Sequence, residues 1–209
     1  YSYTGAASMY AMTGDGDTAI TYLHVAGDDE RGARLVTEHL IALGHRRIAH
    51  LAGYGAVGEL RRRSFEAVMR AHGPADQAPV EAGDMTEEGG FRTAVRLLSR
   101  RERPTAVVAV NDIAAVGVLS AAEELGLRVP EDLSVTGYDN TSISRLRHLW
   151  LTTVDNAGHE VGRRAARCLL DRFDGAGGAG RTQLATPTLE IRGTTAPPRT
   201  GTPDPASAT

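Results

Sequence analysis

Lysine is absent: every basic side chain among the 209 residues is arginine, and 23 basic residues against 26 acidic ones leave a formal net charge of only -3. That balance supplies no excess of cations for a phosphate backbone, so the chain carries no nucleic-acid footprint. The preference for arginine itself reads as a coding bias rather than chemistry. One cysteine, Cys168, excludes an internal disulfide and a thiolate zinc cluster, and its apolar helical setting makes it a small core residue. No apolar run approaches the length that spans a bilayer, and the opening YSYTGAASMY lacks the basic start and apolar middle of a secretory signal. The expected location is therefore cytoplasmic. Neither a His-Glu-x-x-His pair nor a Gly-x-Ser-x-Gly elbow occurs, so no metal, no cofactor and no catalysis are expected. His45 and His50 fall at either end of a strand, where surface or capping roles are the default. GAGGAG at 175–180 has the spelling of a dinucleotide loop, but it follows a helix and precedes a strand, the reverse of the order that phosphate binding requires.

What is present centres on residues 104–140, PTAVVAVNDIAAVGVLSAAEELGLRVPEDLSVTGYDN. A β-branched run at Val107, Val108 and Val110 gives way to an Ala/Leu/Val helix and, after a Pro-Glu-Asp turn, to a second short run at 133–135. Two strands joined by a helix are parallel neighbours. Each ends in an amide and a carboxylate, Asn111-Asp112 and Asp139-Asn140, at the sheet edge where open parallel sheets bind ligands. Such groups accept from hydroxyls and donate back to them, which suits a small polyhydroxylated guest. Asp112 can equally serve as a helix N-cap.

The remaining segments repeat the alternation. Residues 20–25 read as a strand, and Asp28-Asp29 cap a helix that runs to Leu43 and stops at Gly44. A strand at 47–51, a helix carrying Arg61, a strand at 79–82 ending in Gly83-Asp84 and a helix from 87 to 99 complete a doubly wound parallel α/β sheet. Beyond Tyr138 come an extended stretch at 149–154, a helix at 161–173 and an alternating strand at 184–191. Residues 1–4 could add one short strand, while the tail from 194 has no core-forming residue and is expected to be disordered. Ala115, Val118 and Leu119 on the helix after Asn111 are apolar beyond the single stripe a core needs. They are candidates for a dimer interface, unless that helix is simply buried between sheet and neighbours.

The order DDERGARLVTEHLIALGHRRIAHLAG, the Arg61 helix, GDMTEEGGFRTA, PTAVVAVNDIAAVGVLSAAEELGLRVPEDLSVTGYDNTSIS, LTTV and LEIRGTTAPP closely resembles the effector-binding part of the LacI/GalR family of bacterial transcription regulators. The likeness covers residues 20–198. It implies a two-lobed, periplasmic-binding-protein-like (type I) fold whose chain crosses between lobes three times, with an effector in the cleft altering the geometry of a homodimer. By position, Asn111 and Asp139 match the family's cleft Asn and Asp, and Arg61 matches the arginine that fixes the effector. Met85 stands where the family often stacks an aromatic ring on the ligand, and Asp112 and Asn140 complete the candidate ligand set.

The resemblance also implies what to expect of the whole. The first lobe should be incomplete, made of 1–44 and 153–183, beside a second lobe of 45–152 and 184–193. The helix-turn-helix that would bind DNA should be missing. The expectation is a sensing domain of a repressor, binding a small carbohydrate-like effector, without enzymatic activity. Its rivals are a periplasmic sugar-binding protein of the same fold and an α/β sugar-modifying enzyme using Asp112 or Asp139 as a base.

Overall fold

A computed structural model describes residues 24–73, 78–174 and 182–199. The expected strand at 1–4, the start of the strand at 20–25, the GAGGAG loop and the tail from 200 onward lie outside them. In chain order the elements are β1 (His24–Gly27), α1 (Asp29–Ala42), β2 (Ile48–Ala52), α2 (Gly55–His72), β3 (Val80–Ala82), α3 (Glu87–Leu98), β4 (Ala106–Ala109), α4 (Asp112–Glu124), β5 (Ser134–Thr136), β6 (Thr153–Asp155), α5 (Gly158–Phe173), β7 (Thr182–Ala185) and β8 (Thr188–Glu190). A 3-10 turn occupies Ser142–Arg145.

The main sheet is parallel with order β3-β2-β4-β5, the doubly wound arrangement that the sequence alternation predicts. Strands β2 and β4 are buried along their whole length because helices cover both faces. Alternation splits their side chains between two cores. Ala49, Leu51, Val107 and Ala109 join α3 and α4, whereas Ile48, Ala106 and Val108 join Val36, Leu40, Phe65 and Met69 of α1 and α2. Phe65 is fully buried, worth about 1.5–3 kcal/mol for the side chain.

Helix α3 lies unusually close to α4. Any side chain on Gly90 would overlap the carbonyl of Ala114, and one on Gly117 the carbonyl of Glu87, so only glycine permits this approach. The consequence overturns part of the expected dimer surface. Ala115 and Val118 are fully buried against α3 and the sheet, while Leu119 stays half-buried in a stripe with Ile113, Val116 and Ser120. The helix is apolar on several faces because it is a core helix.

A smaller parallel pair, β1-β7, packs with Val161 and Ala165 of α5, and Cys168 lies half-buried beside it. An antiparallel pair, β6-β8, packs against α1. The single terminal strand expected at 184–191 is thus two strands broken at Thr186-Pro187, since proline cannot donate to a ladder. Helix α1 starts at Asp28, whose carboxylate accepts from Arg31 N, and ends before Gly44 at φ 101°. It packs on α2 and against β4, so residues 29–44 belong with the main sheet and not with the β1-β7 pair, contrary to the sequence expectation.

Residues 194–199 are not a free tail. Thr194 O accepts from Val135 N at 2.9 Å, and Thr194 Oγ1 donates to Val135 O at 2.7 Å. His45, only 1% exposed, bonds Thr105 Oγ1 at 2.9 Å through Nδ1 and reaches Ser134 Oγ and Ala196 O through Nε2. His50 is equally buried, its Nδ1 on Val108 O and its ring against Phe65, and burial holds its pKa down at about 4. Neither histidine has the surface role the sequence suggested. Among the described residues no helix is long and apolar enough to cross a membrane.

Candidate functional site

The carboxyl ends of β4 and β5, the first turn of α1 and the second turn of α2 converge on one guanidinium. Arg61 Nε donates to Asp29 Oδ1 at 2.8 Å and Nη1 to the carbonyl of Val110 at 2.7 Å. Nη2 stands 3.6 Å from Asp139 Oδ1, and Cζ lies 3.5 Å from the centroid of the Tyr138 ring, a cation-π contact. Arg62 and Arg63, which a slip of register would have put in its place, instead pair with Glu59 and Glu66 on the outer face of α2. Tyr138 can reach Arg61 because Gly32 has no side chain; a Cβ there would collide with the phenol hydroxyl.

Asp139 is the least settled group of the cluster. Its side chain is 4% exposed and its backbone has φ 100°, a conformation that costs a non-glycine residue on the order of 1–3 kcal/mol. Oδ1 accepts from Asn156 Nδ2 at 3.0 Å, but buried Oδ2 has no partner among the described residues. Burial pushes the carboxyl up to about 7, with Arg61 pulling it down and Asp112 and Asp29 adding to the rise. Asn111 completes the strand ends differently: its Oδ1 caps α4 by accepting from Ala114 N at 2.7 Å, and its Nδ2 donates to Met85 O at 3.1 Å. The capping role that the sequence allowed to Asp112 belongs to Asn111. The Met85 side chain, half-buried, lies over Gly53 and Val110 at the rim of the same edge.

Two predicted ligand residues are turned elsewhere. Asp112 is fully buried with both oxygens committed, Oδ1 to Thr153 Oγ1 at 2.5 Å and Oδ2 to Thr141 N and Oγ1 at 2.7 and 2.8 Å. Burial raises its pKa, and these three donors act against the rise. Asn140 donates to Asp155 Oδ2 and accepts from Arg192 Nη2 at 2.7 Å. Both tie the loop after β5 to β6 and, through Arg192, to the segment that follows β8, so their hydrogen bonds run within the fold.

The sequence reading missed Asp29 and Asn156. Asp29 was legible only as helix-capping charge, yet Asp28 does the capping and the second acid is free to face Arg61. Asn156 follows a short strand with no pattern of its own. A hollow of about 550 Å³ lies near the edge, between α2 and β3, lined by Tyr54, Glu59 and Arg62 among others. It does not include Arg61, Asn111 or Asp139, and the strand-end cluster carries the richer chemistry.

Residues 37–195 match the periplasmic binding protein-like domain. A curated relative, the HTH-type transcriptional repressor PurR of Yersinia pestis (strain Pestoides F), is 39% identical over 145 residues, 68% of this chain. The chain spans only 42% of that relative's length. Among solved structures, a LacI-family transcriptional regulatory protein from Corynebacterium glutamicum is 45% identical with a TM-score of 0.74, covering 83% of this chain and 68% of that one. A LacI family transcriptional regulator from Enterococcus faecium, solved with bound ribose, is 30% identical with a TM-score of 0.78, covering 87% and 68%. The fold and the extent of the match agree: this chain belongs to the LacI family of transcriptional regulators, through its periplasmic binding protein-like domain.

Proposed function

We propose that the chain is the effector-sensing part of a cytoplasmic DNA-binding repressor, and that Arg61, Asp139, Asn111 and Met85 border the site of a small, sugar-like guest. The observation that carries this reading is the buried, unpartnered Oδ2 of Asp139 beside Arg61 at the carboxyl ends of parallel strands. A buried carboxylate oxygen without a donor is costly, and a guest hydroxyl would supply one. The ribose in the relative from E. faecium is a guest of that chemistry.

In this reading the β1-β7 pair with α5 is part of one lobe and the main sheet with α1 to α4 is the other. The chain passes between them after β1, after β6 and before β8. Two of these passages touch, since a Cβ on Gly27 would lie 2.7 Å from Asn156 O. Asn156 bonds Asp139 and accepts from Gly158 N at the start of α5, so a guest that binds Asp139 acts one hydrogen bond away from the other lobe. Closure of the lobes would then select one orientation of the DNA-binding heads in a homodimer. For the self-contact we propose the half-buried stripe of Val116, Leu119 and Ser120, which borders a hollow of about 420 Å³ with Arg147 and Trp150.

Titration calorimetry with neutral sugars and nucleosides tests the site. A guest that binds the unaltered chain should lose at least about tenfold in affinity on Asp139→Ala and on Arg61→Ala. Equal affinity in both variants overturns the assignment.

A further inference from the structure

Arginine at a ligand site ordinarily invites an anion, because its planar fork matches a carboxylate or a phosphate. Here that fork is already occupied. Asp29 holds Nε, the carbonyl of Val110 holds Nη1, Asp139 faces Nη2 and the Tyr138 ring covers one face, leaving the side chain 7% exposed. Asp29 alone already balances the charge of Arg61, so an incoming anion would add unbalanced negative charge beside the Asp139 carboxyl in a site with little water to screen it. The unmet demand is of the opposite kind, a donor for Asp139 Oδ2.

Asp29 is built in, not adaptable. It is 7% exposed in the first turn of α1, where the helix dipole favours a carboxylate. One turn on, Gly32 admits the Tyr138 ring that completes the enclosure of Arg61. We propose that Asp29 sets the charge class of the guest: by neutralising Arg61 it makes the strand ends an acceptor site for uncharged or cationic hydrogen-bond donors, neutral polyols above all, and closes it to phosphorylated or carboxylated ones. This rests on the reading that the guest binds at Arg61 and Asp139.

The test uses ribose with ribose 5-phosphate, glucose with glucose 6-phosphate, adenosine with adenosine monophosphate, and inorganic phosphate alone. Wherever one member of a pair binds the unaltered chain, the neutral member should bind at least about tenfold more tightly. Inorganic phosphate should leave the Arg61 Nε–H resonance unmoved. In Asp29→Asn the preference within each pair should shrink, and phosphate should shift that resonance saturably. A phosphorylated member that binds the unaltered chain as tightly as its neutral partner overturns the inference, as does a folded Asp29→Asn whose Arg61 resonance ignores phosphate. Should Asp29→Asn fail to fold, the unaltered chain decides by its response to the pairs and to phosphate. Failure of every neutral sugar to bind would instead count against the proposed function, while the phosphate arm still decides the role of Asp29.

Discussion

Asp112 and Asp139 stand one residue type apart in nothing: both follow strands of the same sheet, both are buried, and burial raises both pKa values. Their surroundings divide them. Asp112 receives three donors from Thr141 and Thr153, whereas Asp139 receives one from Asn156, shares a guanidinium with Asp29 and keeps an oxygen with no donor among the described residues. The first is a fastening that holds the loop after β5 to β6. The second is a group whose hydrogen bonding the fold leaves unfinished, and a fold leaves such a group where something else can finish it. Burial alone therefore does not mark a site; the balance of donors against acceptors does.

The comparison breaks most severely if the shared cation is removed. Arg61→Met should cost about 3–5 kcal/mol in urea unfolding, because Asp29 and Asp139 are left buried without a counter-charge. A loss below about 1 kcal/mol would mean that the pair is screened by water and not enclosed. Next in size, Asp112→Asn should cost about 2–4 kcal/mol, since an amide cannot accept all three donors. At pH 4, where its carboxyl is still protonated, Asp139→Asn should change stability by no more than about 1 kcal/mol, and at neutral pH it should weaken a bound sugar at least about tenfold. Equal costs for the two substitutions would erase the distinction between fastening and site.

A pH series sharpens it further. A carboxyl whose pKa rises from 3.8 to about 7 on folding holds more protons folded than unfolded across that interval. Its contribution is therefore greatest below 3.8 and is lost as pH climbs to about 7. His50, held down at about 4, slopes the opposite way between there and its ordinary 6.5. Subtracting the stability curve of Asp139→Asn from that of the unaltered chain cancels the histidine, and the difference should fall between pH 4 and 7 and be flat above. A difference that is flat throughout would show Asp139 ionised like a surface carboxylate.

The smallest effect on stability belongs to α4, which has a finished and an unfinished side of its own. Val116→Asp on the half-buried stripe should move unfolding by about 0.5 kcal/mol or less yet halve the sedimenting mass of a dimer. Val118→Asp, in the closed core, should unfold the chain instead. A dimer unaffected by Val116→Asp removes this face as the self-contact.

Much of this was legible beforehand because the patterns are local. The valine run of β4, the Asp28 cap and the Gly44 stop each announce themselves within a few residues, and the strand-end pairs lie where parallel sheets always put them. Asp29, Asn156 and His45 were not legible, because their roles depend on partners 32, 17 and 60 residues away. The direction of the Asn140 side chain was hidden for a related reason. Alternation gives the strand to which a residue belongs, but at a positive φ, as at Asn140, it no longer gives the direction of the side chain. The apolar surplus on α4 misled because helix periodicity counts exposed faces and cannot know that Gly90 and Gly117 let a second helix press so close.

The strap at 194–196 lies along the outer margin of β5, which would otherwise present bare amide and carbonyl groups to any passing strand. Trimming the chain ahead of Thr194 would thus do more than shorten it: it would uncover an adhesive border and invite neighbouring molecules to zip onto it. Purification handles at this end should be attached beyond residue 199, where the stitching to Ser134 and His45 is already complete.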